Sequence, residues 1–185
     1  MIRYFEWMGA AIYTADHRAG AMHGKQFILD SVHAGIDQAN VYARLDFKGK
    51  IPSTPFELVA NLESWADASP HPHRALRLEA VVEAGKIQSW KVGAADEESP
   101  LQSSERPGDG AAKLALLRNF EFRVPLAWLA AALVSRAAVP GPYSAATRLR
   151  LRLSLWQNRL PVDALPLEGW IELHLLEEAE LMSMY

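Results

Sequence analysis

The chain has no cysteine, no long uncharged apolar run and no excess of basic residues, and each absence excludes a class of protein. Without cysteine there is no disulfide framework, zinc–thiolate site, iron–sulfur cluster or cysteine nucleophile. No stretch reaches the roughly 18 apolar residues of a membrane helix, and the N-terminus does not resemble a signal peptide, which favours a cytoplasmic location. With 19 Lys and Arg against 22 Asp and Glu, the chain offers no basic field to a nucleic acid.

The residues that are present indicate one globular domain. Of the 185 residues, 50% are hydrophobic and 22% charged, which are ordinary proportions for a soluble fold. This length is typical of a single domain with a sizeable core. Because the chain starts abruptly in structured-looking sequence, we expect residues 1–185 to be a fragment or accessory domain of a larger protein.

The dominant hydrophobic period is two, which predicts strands. It is clearest over residues 147–156, where leucines at every second position alternate with Arg148, Arg150, Arg152, Ser154 and Trp156. A helix would spread these leucines around its circumference, so the period outweighs the helix propensity of leucine and arginine. Similar alternation predicts further strands at 9–14, 27–32, 41–47, 56–60 (the weakest), 75–83, 86–92, 120–124 and 171–175, with a hairpin turn at 84–85.

Two segments depart from this pattern. Residues 126–137 are alanine-rich and follow Pro125, which predicts one short helix. Residues 94–110 are rich in Ser, Pro, Gly and acids, which predicts a mobile loop. Antiparallel strands at regular spacing with one helix are typical of an all-β protein, and we predict an antiparallel β-sandwich of DOMON-like or jelly-roll type.

No motif for catalysis or cofactor binding is present, so we assign no catalytic residue, metal ligand or cofactor. The histidines match no metal-ligand spacing, and the carboxylates on strand faces are expected to pair with arginines of neighbouring strands. Two alternatives stay open. An independent hydrolase would need two carboxylates about 5–9.5 Å apart across one cleft. A haem protein would need Met22 or His23 to be joined by a distant ligand such as His174.

The tryptophans supply the candidate binding site. Alternation places Trp156 on the same strand face as Arg150 and Arg152, away from the leucines. An indole beside guanidinium donors suits a sugar, because pyranose C–H groups pack on the ring while hydroxyls bind the donors. Trp170 and Glu172 are further candidates for carbohydrate binding. The alternative is that a loop, another domain or a second copy covers this face.

Several short segments together resemble one known protein region. They occur in the order 4–10 (YFEWMGA), 20–23 (GAMH), 35–37 (GID), 41–46 (VYARLD) and 169–173 (GWIEL). They resemble the region C-terminal to the catalytic barrel in many proteins of glycoside hydrolase family 57, which process α-glucans. Residues 120–129 (FEFRVPLAWL) are similar, more loosely, to a segment of DOMON-like sandwiches, which include carbohydrate-binding module family 9.

The resemblance implies a β-sandwich that accompanies a glycoside hydrolase. The catalytic residues of that family lie in the barrel, and this chain is too short to hold a barrel plus a sandwich, so no catalytic role carries over. We therefore expect a non-catalytic domain that binds an α-glucan or related polysaccharide through exposed aromatic residues. The alternative is a structural domain that packs against a catalytic barrel or forms an oligomer interface.

Overall fold

A computed structural model of the chain describes residues 10–14, 27–37, 39–66, 74–95, 100–104, 111–129 and 147–174, and it shows two antiparallel β-sheets. The five-stranded sheet contains β1 (Ala11–Thr14), β2 (Leu29–Ile36), β3 (Asn40–Phe47), β8 (Lys113–Leu116) and β9 (Asn119–Pro125). The seven-stranded sheet contains β4 (Phe56–Ala66), β5 (Arg74–Glu83), β6 (Lys86–Ala94), β7 (Gln102–Ser103), β10 (Thr147–Gln157), β11 (Leu160–Leu165) and β12 (Ile171–His174).

The strand order is β1-β2-β3-β9-β8 in the first sheet and β11-β10-β4-β5-β6-β7 in the second. Strand β12 also pairs with β10, so β11 and β12 follow one another along the same edge of that strand. Contacts of β2 with β11 and β12, and of β6 with β8, join the two sheets at both sides. The predicted all-β sandwich is therefore confirmed.

The core lies between the sheets and includes the apolar residues that alternation predicted, together with others such as Leu62 and Leu165 from outside the predicted strands. On β10, Leu149, Leu151, Leu153 and Leu155 are all at most 2% exposed. Phe120 and Phe122 of β9, in the five-stranded sheet, belong to the same core cluster and are equally buried. At about 25 cal/mol per Å² of buried apolar area, each such side chain contributes roughly 1.5–3 kcal/mol, so the packing needs no crosslink.

Local sequence sets the turns and the helix. Ala84 and Gly85 both have positive φ (50° and 72°) and form the predicted two-residue hairpin turn between β5 and β6. Asn158 and Arg159 (φ 51° and 64°) make a second such turn between β10 and β11. Residues 126–129 are helical after Pro125, and the rest of the predicted helix lies outside the described residues.

Strands β4, β7, β8 and β11 differ from the sequence prediction. Strand β4 continues to Ala66, well beyond the predicted 56–60. The segment predicted as a loop over 94–110 contains strand β7, which pairs with β6. Strands β8 and β11 were not predicted, because β8 has only four residues and β11 places an aspartate, Asp163, where an apolar residue is expected.

Asp163 ties the two sheets together. It stands opposite Leu155 on the inner side of the seven-stranded sheet and is 3% exposed. Its Oδ2 accepts hydrogen bonds from the N–H groups of Ile28 (2.7 Å) and Leu29 (2.9 Å), where β2 of the other sheet begins. Its Oδ1 accepts from the N–H of Ala164 at 2.9 Å. A buried carboxylate is thus satisfied by backbone donors, as burial requires.

Within the described ranges, no helix has the length and apolar character needed to cross a bilayer.

Candidate functional site

Four of the five predicted site residues, Arg150, Arg152, Trp156 and Glu172, lie on strands at the outer face of the seven-stranded sheet. Cross-strand register places side chains of five strands on this side, away from the core. We call this set the outer face: Glu57, Val59, Asn61, Glu63 and Trp65 of β4, Arg77, Glu79 and Val81 of β5, Lys91 of β6, Arg148, Arg150, Arg152, Ser154 and Trp156 of β10, and Glu172 of β12.

Arg150 is the centre of a cluster at one end of the outer face. Its Cζ lies 4.5 Å from the centroid of the Trp65 ring, which is a cation–π contact. Its Nη2 lies 3.2 Å from Glu172 Oε1, and Arg148 Nη1 lies 4.0 Å from Glu172 Oε2. Trp65 Nε1 donates to Glu63 Oε2 at 2.9 Å. The structure therefore brings Arg150 and Glu172 together and adds an indole that had no assigned face.

Trp156 lies on the same face but apart from that cluster. It is half-buried, stands opposite Glu57, and its Nε1 donates to Ser154 Oγ at 2.9 Å. Six residues of strand separate it from Arg150, or about 20 Å at 3.3 Å per residue. Trp156 and Arg150 therefore do not form one compact site, and any ligand that contacts both must be extended.

Arg152 and Trp170 occupy the region between them. Arg152 Nη2 donates to the carbonyl of Leu167 at 3.2 Å, in the segment that joins β11 to β12. Trp170 is half-buried and immediately precedes β12, with Ile171 next in the core. Alternation along the chain thus places Trp170 on the side of Glu172.

A shallow depression of about 270 Å³ lies beside β5 and β6 on the same face. Arg77, Glu79 and Lys91 line it, together with Gly93, Ala94, Ala95 and Pro100. Glu79 Oε1 accepts from Arg77 Nε at 2.5 Å, and its Oε2 lies 2.8 Å from Lys91 Nζ. Burial alone would raise the pKa of the Glu79 carboxyl, but hydrogen bonds from Lys91 and Arg77 outweigh burial and lower it. Glu79 is therefore a carboxylate at neutral pH.

The outer side of the five-stranded sheet is organised around one carboxylate, Asp46. Its Oδ2 accepts from Ser31 Oγ (3.3 Å) and lies 3.2 Å from His33 Nε2, while Oδ1 accepts from Arg44 Nε at 2.9 Å. The serine donates to the carboxylate and not to the imidazole. In nucleophilic catalysis by serine the histidine must contact the nucleophile. Ser31, His33 and Asp46 therefore have the geometry of a polar network.

Asp37 and Tyr42 stabilise the hairpin between β2 and β3. Asp37 Oδ1 accepts from the N–H groups of Ala39 (2.7 Å) and Asn40 (2.6 Å), and its Oδ2 accepts from Tyr42 Oη at 2.7 Å. Burial raises the pKa of Asp37, but the bonds from Tyr42 and the backbone outweigh it and lower that pKa. Burial and the same Asp37 bond raise the pKa of Tyr42.

Two of the remaining tryptophans lie beside the core. Trp90 and Trp128 are partly buried and pack against the core. Trp7 lies outside the described residues. So do Met22 and His23 of the haem alternative and the side chain of His174. Within the described ranges, no three His, Cys, Asp or Glu side chains are grouped so that they could hold a metal ion.

Sequence reasoning missed Trp65 as a member of this face, and it missed the contact between Glu79 and Lys91. Trp65 was missed because β4 was predicted to end at Ala60, before its alternation reached position 65. Glu79 was recognised as lying opposite the core, but its contact with Lys91 depends on the register of β5 with β6. Extending the period-two pattern of β4 beyond Ala60 places Trp65 on the outer face.

Comparison with known proteins adds no relative, because no family model, no curated protein and no solved structure matches this chain.

Proposed function

We propose that this domain binds a polysaccharide along the outer face of its seven-stranded sheet, as a non-catalytic accessory domain of a glycoside hydrolase. The observation that carries the proposal is the presence of Trp65 and Trp156 on one sheet face among guanidinium, carboxylate and amide groups. Indole rings offer an apolar surface to pyranose C–H groups, and the polar groups bind hydroxyls. The resemblance to glycoside hydrolase family 57 makes α-glucans the first ligands to test.

The spacing of the two indoles supports an extended ligand. Trp65 stands opposite Arg148, and Trp156 stands opposite Glu57. They are therefore separated along the strands by eight residues, or about 26 Å. A single sugar cannot span this distance, whereas an oligosaccharide lying along β4 and β10 can contact both rings and Arg152 between them.

Affinity electrophoresis in glycogen or starch tests the proposal. The wild-type protein should be retarded relative to a gel without polysaccharide. Trp156→Ala and Trp65→Ala should each weaken binding about five- to tenfold, since an aromatic contact is worth about 1 kcal/mol. Ile12→Ala is the control, because it removes a side chain that is 63% exposed on the other sheet and should migrate as the wild type does.

Affinity electrophoresis together with sedimentation separates polysaccharide binding from a protein–protein interface. Arginine and tryptophan are both enriched where proteins contact one another. If no glucan retards the wild type, and sedimentation shows a dimer that Trp156→Ala dissociates, the outer face is an oligomer interface and the binding proposal is wrong.

A further inference from the structure

The depression beside Glu79 is a recess in the outer face. Its floor is at Gly93, which stands opposite Arg77 and has no side chain to fill the space. Arg77, Glu79 and Lys91 contribute charged groups to its lining, and Ala94, Ala95 and Pro100 line it as well. A ligand here would meet polar and apolar surfaces at once, as bound small molecules generally do.

The charged groups retain hydrogen-bonding capacity beyond their mutual contacts. Lys91 uses one of three donors on Glu79, and Arg77 uses its Nε, which leaves the Nη groups. Each Glu79 oxygen has a further lone-pair site, since a carboxylate accepts about four hydrogen bonds. Donors and acceptors thus stand side by side, and this is what a sugar hydroxyl needs because it both donates and accepts.

The presence of Glu79 also selects the charge of the ligand. An anion would be attracted by Arg77 and Lys91 but repelled by the carboxylate between them, which the lowered pKa keeps ionised. A neutral polyol meets no such repulsion and can bind the carboxylate and a cation through adjacent hydroxyls. Ala95 and Pro100 add apolar atoms to the lining, and these can contact the C–H side of a ring.

We propose that this depression is a subsite for one neutral hexose ring of the polysaccharide, with Glu79 accepting from its hydroxyls and Lys91 and Arg77 donating to them. The inference rests on the proposed function. Ser154, Val59, Glu79 and Lys91 stand opposite one another on four neighbouring strands. Lys91 is thus three strand spacings of about 4.8 Å from Ser154, and Trp156 lies two residues further along β10, which gives about 16 Å between Lys91 and Trp156. A short oligosaccharide bound at Trp156 therefore reaches the depression by crossing the strands, which is a second course beside the one along β4 and β10.

Isothermal titration calorimetry with maltoheptaose, cellohexaose and mannohexaose tests the subsite. The wild type should bind at least one of these neutral oligosaccharides. Lys91→Met and Glu79→Gln should each weaken that binding about tenfold, as expected for loss of a hydrogen bond to a charged group. The Lys91 side chain is 58% exposed, so Lys91→Met should fold as the wild type does. Lys113→Met, an exposed lysine of the five-stranded sheet, is the matched control and should bind unchanged.

The outcomes separate the subsite from the proposed function. If Trp156→Ala weakens binding but Lys91→Met and Glu79→Gln bind as the wild type, the subsite is wrong and the function stands. If an oligogalacturonate binds more tightly than every neutral oligosaccharide and Lys91→Met abolishes this, the depression is an anion site and the inference is wrong. If the wild type binds none of the neutral sugars in calorimetry or in polysaccharide gels, both proposals are wrong.

Discussion

Asp163 and Glu79 are carboxylates on opposite sides of the same sheet, and they differ in what holds them. Asp163 faces inward, is 3% exposed and accepts from the backbone N–H groups of Ile28 and Leu29. Glu79 faces outward, is 25% exposed in its side chain, and is held by the side chains of Arg77 and Lys91. The first set of partners is fixed by the fold, whereas the second can rotate toward a ligand.

The difference indicates which charged groups serve stability and which can serve binding. Backbone donors cannot follow a ligand, so a carboxylate that satisfies them contributes to the fold alone. Long side chains on an exposed sheet face contribute little to stability as ion pairs and keep spare donors for a ligand. The inner and outer sides of the seven-stranded sheet should therefore respond differently to substitution.

Replacing Asp163 should have the largest effect. Asp163→Ala leaves the N–H groups of Ile28 and Leu29 without their acceptor, at about 1–3 kcal/mol for each buried group. We expect the free energy of unfolding to fall by about 3 kcal/mol in urea denaturation. Asp163→Asn, which keeps one acceptor oxygen, should recover part of the loss. A decrease below about 1 kcal/mol for the alanine variant would contradict the assigned role of the inner carboxylate.

The turn that joins β10 to β11 should respond in the opposite direction. Arg159 adopts a φ of 64°, which glycine tolerates without the steric cost paid by other residues. Arg159→Gly creates the Asn-Gly pair favoured in this turn, and should raise the free energy of unfolding by about 0.5–1 kcal/mol. Thermal unfolding measures the change. An unchanged or lower midpoint would mean that Arg159 contributes more through its side chain than its backbone costs.

The contact between Arg150 and Trp65 should be weak, because charged side chains on a partly exposed sheet face contribute little to stability. A double-mutant cycle with Arg150→Met and Trp65→Leu should give a coupling energy of about 0.5–1 kcal/mol, the range for partly exposed cation–π pairs. Coupling above about 2 kcal/mol would place this cluster with the structural contacts of the inner side. Urea denaturation of the four proteins supplies the measurement.

The smallest effect should appear in the pH dependence of stability. The folded pKa of Glu79 is lowered from an ordinary value of 4.5. Its ionised form therefore contributes stability above pH 4.5 that is lost as pH falls through the folded pKa. In Glu79→Gln the free energy of unfolding should fall less steeply between about pH 5 and pH 3. Glu57→Gln, an exposed neighbour on the same face, controls for the loss of one charge; identical curves for Glu79→Gln and wild type would contradict the lowered pKa.

The sequence predicted the strands whose alternation is regular, and β10 is the clearest example. It did not predict β11, because Asp163 occupies a core position. A buried aspartate is tolerated there only because it accepts hydrogen bonds from the N–H groups of Ile28 and Leu29, which are distant in the chain. The site was predicted in part. Alternation placed Trp156 and Arg150 on one face, but Trp65 joined them through the pairing of Arg148 with Trp65. Such register between distant strands cannot be read from either strand alone.

The bond between Asp163 and Ile28 also has a consequence for biosynthesis. The two residues are 135 positions apart, and a ribosome adds about 5–20 residues per second. Asp163 is therefore synthesised on the order of 10 s after the start of β2, whose N–H groups it binds. The β2–β3 hairpin is synthesised well before β11, and the sandwich closes only when β11 has left the ribosome. We therefore expect this nascent domain to be a client of chaperones that shield unfinished sheets.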